Sequence, residues 1–235
     1  MFVGHYGPAF AGKASEKRLP LWLLFLAVQW LDVAWSALVM LNVEKLRIVR
    51  GLTEGSSLDL YYMPYTHGLL GAAALSAALG AVTALFYNER RTAIAAVVAG
   101  AVFSHWMLDL VVHVQDLPLF GDAFKVGFGL WRHLWISLPL ELAILVAGAA
   151  LYARAVPSGT RWGDICLWTF VAALAAAQAY GSFGPAPGSP LAAAQTALAA
   201  YIVLAGFSGL VDRARRPLGT VRSRSEAPLR LNPAG

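Results

Sequence analysis

Six ionisable side chains lie in apolar surroundings that should exclude them. His5 belongs to an apolar N-terminal segment and Asp32 to the first long apolar run; His67 heads the second run, and His105, Asp109 and His113 punctuate the third. A charged side chain at the centre of a spanning helix costs at least ~2.5 kcal/mol on insertion scales, so each is a functional candidate. Imidazole nitrogens and carboxylate oxygens together make the donor set preferred by zinc, iron and manganese.

The sharpest spacing is in Ser104-His105-Trp106-Met107-Leu108-Asp109-Leu110-Val111-Val112-His113-Val114-Gln115-Asp116. At ~100° per residue, His105, Asp109, His113 and Asp116 fall on one helical stripe roughly 80° wide. Residues at i and i+4 lie ~5–6 Å apart, near enough for one cation to be shared. His105 and His113 are ~12 Å apart along the axis, so His113 is expected at a second metal or in a supporting, catalytic role. Depth gives an independent test. Asp32 lies about 18 Å along its run and His105 about as far along the third, while His67 enters from the other side. Asp32, His67, His105 and Asp109 are therefore expected as the metal ligands, at one level in the outer half of a bilayer.

The remaining candidates are placed by similar reasoning. If Lys13 sits at the interface, eight helical residues rise ~12 Å, so a re-entrant N-terminal half-helix would bring His5 beside Asp32 and His105. His133 follows Trp131-Arg132 and is expected in a solvated interface. Glu141, eight residues on, is a candidate extension of the site, and Asp116 and Asp122 are expected to be solvated loop residues. The competing explanation is that all these groups are polar pairs that only lock helices together.

These residues need a membrane scaffold. Of the 235 residues, 58% are hydrophobic and 13% are charged, against roughly 25% charged in a soluble domain. The expected fold is all-α: a polytopic membrane helix bundle of about six spans, near 20–42, 66–87, 92–114, 133–154, 162–180 and 190–210, plus the short N-terminal helix. Neither symmetric halves nor an interrupted helix is visible. One domain is expected over residues 1–211, its metal-site part within 1–140. Residues 212–235, with six arginines, are expected to form a basic disordered tail. Lys13, Lys17, Arg18, Arg90, Arg91, Arg154, Arg161 and the tail fall on one side. Both termini are thus expected in the cytoplasm, with Lys45, Arg47 and Arg50 dissenting. The net charge of +5 is accounted for by anionic lipid headgroups rather than nucleic acid. The single cysteine, Cys166, permits no disulfide within the chain.

The order His5, Asp32, Thr66-His67-Gly68 and His105-x-x-x-Asp109 resembles the bacterial membrane-bound metal-dependent hydrolases, the YdjM-like group. Its ligand order is also similar to that of zinc-dependent phospholipase C. The resemblance covers roughly residues 1–140 and departs in places: Gly68 stands where many relatives have Ser, and the late His-x-x-x-Glu pair of phospholipase C is absent. It implies a bacterial-type inner-membrane protein with a divalent ion, zinc before iron or manganese. The implied activity is hydrolysis of a lipid-like ester or phosphoester, with His113 or His5 in a catalytic role. A metal-binding carrier and a purely structural membrane protein remain as alternatives, and the oligomeric state is open. Gly206-Phe207-Ser208-Gly209 resembles an intramembrane serine protease motif, but no histidine follows it. No His-Glu-x-x-His or phosphate-binding glycine loop is present.

Overall fold

The computed structural model describes residues 1–215. A 3-10 turn, Val3–His5, leads into α1 (Tyr6–Ser15); α2 (Leu21–Val28) and α3 (Trp30–Met40) follow, then strands β1 (Lys45–Ile48) and β2 (Leu58–Tyr62). The remaining helices are α4 (Leu69–Leu85), α5 (Arg91–Val112), α6 (Leu134–Ala155), α7 (Arg161–Phe183) and α8 (Pro190–Ala214). The all-α class therefore holds, with a small antiparallel hairpin in the 43–65 connection pairing Arg47 with Asp59 and Ile48 with Leu58.

The span count differs from the six expected. Among the described residues four helices, α5 to α8, are long and apolar enough to cross a membrane, or five if the bent pair α2 and α3 forms one span, as in an integral membrane protein. The 20–42 run is a pair of helices, α2 and α3, bent by 55°, so an interrupted helix exists where none was read. Gln29 sits at the break, and its buried side chain donates to the Phe2 carbonyl at 3.3 Å. A polar side chain serving a neighbouring backbone competes with straight-helix continuity. The 66–87 run yields a helix of only 17 residues. Its start is delayed because Glu44 Oε1 accepts from the Tyr65 and Thr66 amides at 2.9 and 3.0 Å, holding Pro64–His67 outside the helix. At the other end of the chain α8 continues through Ala214, and Asp212 and Arg215 are buried, so 212–215 belong to the bundle rather than to a tail. The rest of the expected tail lies outside the described residues.

The core runs along α1, α2, α5, α6 and α7, with Tyr6, Phe10, Phe25, Val98, Val102, Leu145 and Leu174 buried in it. Outward faces stay apolar and exposed, as at Leu70, Val82, Ile136, Val146, Ile165 and Ile202, as a lipid-facing surface requires. α1 does not cross the bundle. It enters it, packed on α6 so closely that a Cβ at Gly148 would meet the Gly7 backbone and one at Gly7 would meet the Ile144 backbone. Lys13 closes the entry: its Nζ donates to the Lys17 and Leu19 carbonyls at 2.9 and 2.7 Å and pairs with Asp212 at 3.4 Å. Gly148→Val should therefore destabilise the protein by roughly 1–3 kcal/mol through overpacking. Gly206→Val, where open space surrounds the added carbon, should leave the thermal transition in detergent nearly unchanged.

Candidate metal centre

Each histidine of the cluster is oriented by what its far nitrogen meets. Val28, the last residue of α2 before the break, presents its carbonyl to His105 Nδ1 at 2.7 Å. A carbonyl only accepts, so Nδ1 carries a proton, and in the neutral ring Nε2 keeps a lone pair. Thr66 Oγ1 donates to Glu44 Oε2 at 2.6 Å and lies 2.9 Å from His67 Nδ1. Its hydrogen being committed to the carboxylate, the hydroxyl accepts from His67 Nδ1–H, which again leaves a lone pair on Nε2. His113 Nδ1 donates to Asp116 Oδ1 at 2.9 Å, with the same result.

The three Nε2 atoms converge on one carboxylate oxygen. Asp109 Oδ2 lies 3.1 Å from His105, 3.5 Å from His113 and 3.7 Å from His67. Asp32 Oδ1 lies 3.3 Å from His67 Nε2 and 3.6 Å from His105 Nε2. Lone pairs facing carboxylates are mutually repulsive unless a proton or a cation stands between them. Ligands held ~2.0–2.1 Å from one zinc-like ion are about 3.0–3.4 Å apart, close to the separations observed. His105 Nε2 is buried and has no hydrogen-bond partner, the condition expected of an atom directed at a cation. His5, Asp109 and His105 form one group able to hold an ion, and Asp32, His67 and His105 form another.

Four of the chain's five histidines thus meet at one place, supported by different elements. His5 arrives on the N-terminal turn, its ring stacked on that of His105 with centroids 3.8 Å apart and planes at 7°. Its Nε2 is 3.2 Å from Asp109 Oδ1 without hydrogen-bond alignment, and both its ring nitrogens are buried and unpartnered. That turn is held by side chains from α6, α7 and the α2–α3 break: Glu141 Oε2 accepts from Phe2 and Gly4 amides at 2.8 and 3.4 Å, Gln178 Oε1 accepts from Val3 at 3.3 Å, and Gln29 donates to the Phe2 carbonyl. Asp109 Oδ1 also accepts from the Met1 nitrogen at 2.6 Å. Glu141 therefore reaches the N-terminal turn that carries His5. His133 is exposed and lies apart from the cluster.

One expectation needs correction. Asp116 is buried and orients His113, rather than being solvated; Asp122, paired with Lys125 at 2.9 Å, remains a surface residue. His113 keeps the helical register, with φ −61° and its amide bonded to the Asp109 carbonyl at 2.8 Å, and it belongs to neither of the two groups able to hold an ion among the described residues. α5 stops at Val112, and His113 adopts ψ 147°. The Gly129 amide takes up the His113 carbonyl at 2.6 Å. Gly127 packs onto the same backbone, where φ +153° and the contact with Val114 O suit glycine alone. The imidazole reaches Asp109 Oδ2 at 3.5 Å from one helical turn away.

Tyr201 was not singled out from sequence. Its hydroxyl, on α8, donates to Asp32 Oδ2 at 2.6 Å and leaves Oδ1 facing the imidazoles. The available signal was a lone phenol inside an alanine-rich span, since a buried hydroxyl needs a partner. Asp32 is the most open carboxylate of the cluster, with a side chain 16% exposed beside 2% for Asp109. No family model, characterised protein or solved structure matches this chain.

The partners that fix Nδ1 should control affinity. Thr66→Val and Asp116→Asn are expected to weaken zinc binding about 10–100-fold while the protein stays folded. Competition with a chromogenic chelator measures this, and unchanged affinity in both variants would contradict the assignment.

Proposed function

We propose that the chain is a membrane-embedded metalloprotein that uses a divalent ion, zinc in the first instance, to hydrolyse a lipid-like ester or phosphoester. The observation that carries this reading is the set of three Nδ1-anchored imidazoles whose Nε2 atoms face Asp109 and Asp32. Hydrogen bonds to the far nitrogen are the usual support of metal-bound histidine, because they fix the tautomer and raise ligand basicity.

Asp32, His67, His105 and Asp109 would hold the ion, Asp109 through Oδ2, on which the imidazoles converge, while the Met1 nitrogen and His5 stand on its Oδ1 side. A bound divalent ion supplies an acidified water and a Lewis acid for a phosphoryl or carbonyl oxygen. His113, its Nδ1 held by Asp116, is placed to accept a proton at Nε2. Tyr201 keeps Asp32 turned with Oδ1 inward. The partial opening at Asp32 suits entry of an amphipathic substrate from the bilayer. The residue order shared with the YdjM-like hydrolases supports the same reading, as does the basic side of the chain for an inner-membrane protein with cytoplasmic termini.

A carrier reading is favoured by one observation, the 55° break between α2 and α3 beside Asp32, since discontinuous helices line ion sites in transporters. The two are separable. Detergent-purified protein should contain stoichiometric metal by elemental analysis, and His105→Ala should lose it. Turnover of bis-p-nitrophenyl phosphate or a p-nitrophenyl ester in mixed micelles should vanish on chelation and return with zinc. Activity that survives complete metal removal would sink the hydrolase reading, and Asp32-dependent zinc flux into proteoliposomes without turnover would establish the carrier.

A further inference from the structure

The connection from α5 to α6 carries more apolar surface than a solvated loop sustains. Two antiparallel bridges, Leu117 with Val126 and Phe120 with Ala123, fold it into a narrow hairpin. The base is buried: Leu117 packs with Trp35, Leu46, Leu60 and Met63. The tip is not. Phe120 and Phe124 are 54% and 73% exposed with ring centroids 6.4 Å apart, and Phe128, just past the base, is 77% exposed, more than the scattered apolar residues that are normal on a surface.

Three further observations say what meets this tip. Its charges cancel locally: Lys125 pairs with Asp122 at 2.9 Å and donates to the Tyr61 carbonyl at 2.6 Å, so no net charge opposes entry into an apolar medium. Phe124 stands at φ +54°, an uncommon conformation for a bulky residue that holds its ring outward. The apolar surface is also continuous with faces of the spanning bundle. Leu69 of α4 donates its amide to Pro118 at 3.0 Å, next to exposed Tyr65 and Leu70. On the α6 side, Trp135 is 74% exposed with Ile136 beside it, and it meets Phe183 of α7 at 6.1 Å. Aromatic residues collect at the headgroup level of membranes.

We propose that the 117–128 hairpin folds back into the headgroup–acyl boundary of the leaflet at its end of the bundle, with Phe120, Phe124 and Phe128 in contact with lipid. The same segment supplies Asp116, Gly127 and Gly129 to the seat of His113, so the lipid surface and the candidate site share one element. The inference does not depend on a bound metal.

The test uses a Cys166→Ser background with Phe120→Cys, Phe124→Cys or Arg50→Cys, each labelled with an environment-sensitive fluorophore and reconstituted into phosphatidylcholine–phosphatidylglycerol vesicles. Arg50 is exposed between the strands of the hairpin and serves as the aqueous reference. Labels at 120 and 124 should emit as in an apolar medium, be quenched by lipids bearing a nitroxide near the headgroup, and be shielded several-fold from aqueous iodide relative to position 50. Iodide quenching equal to that at position 50 would overturn the proposal. So would apolar emission without lipid quenching, which would mean that another protein surface covers the tip.

Discussion

Three hydrogen bonds that never touch the centre of the cluster decide what the centre can be. Val28 O, Thr66 Oγ1 and Asp116 Oδ1 each take the Nδ1 proton of one histidine. Had any of them been a donor, the imidazole would present N–H inward and simply bond a carboxylate. With all three accepting, each Nδ1 bears a proton and each Nε2 faces Asp109 or Asp32, where the Met1 ammonium, a second ring proton or a cation balances the carboxylates. Buried carboxylates without such compensation cost several kcal/mol each, so the arrangement makes sense around a cation.

Much of the fold can be understood as the means of supplying those three acceptors. The break at Gln29 ends α2 at Val28, whose carbonyl then serves His105. Glu44, immediately before β1, holds Thr66 by taking both its amide and its hydroxyl. The end of α5 at Val112, together with Gly127 and Gly129, brings Asp116 to His113. Each is a local departure from regular helix, and each lies against protein rather than lipid, where irregular backbone is tolerated. The N-terminal turn adds His5 by the same logic, its amides satisfied by Glu141 and Gln178.

The periodicity and depth of the histidines and aspartates were legible in the sequence because helical geometry converts spacing into position. That reasoning brought Asp32, His67, His105 and Asp109 to one level and lifted His5 toward them. It failed where the helix stops: the burial of Asp116 and its bond to His113 depend on a chain reversal supported by residues 127–129, which no helical stripe reveals. Likewise Tyr201 and Glu44 reach the cluster's carboxylate and hydroxyl partners from distant sequence, and hydropathy alone could not distinguish a continuous first span from the bent pair α2 and α3. The six-span reading goes beyond the four helices, or five with the bent pair taken as one span, that are long and apolar enough to cross a membrane, since apolar length does not report where a buried polar group interrupts a helix.

The central claim is that histidine Nε2 atoms and carboxylate oxygens surround a common cation. X-ray absorption at the zinc edge of zinc-loaded, detergent-purified protein addresses it directly. The account predicts nitrogen and oxygen neighbours ~2.0–2.1 Å from zinc, with the outer-shell scattering of two or more imidazole rings. A spectrum with oxygen neighbours alone and no imidazole signature would contradict it.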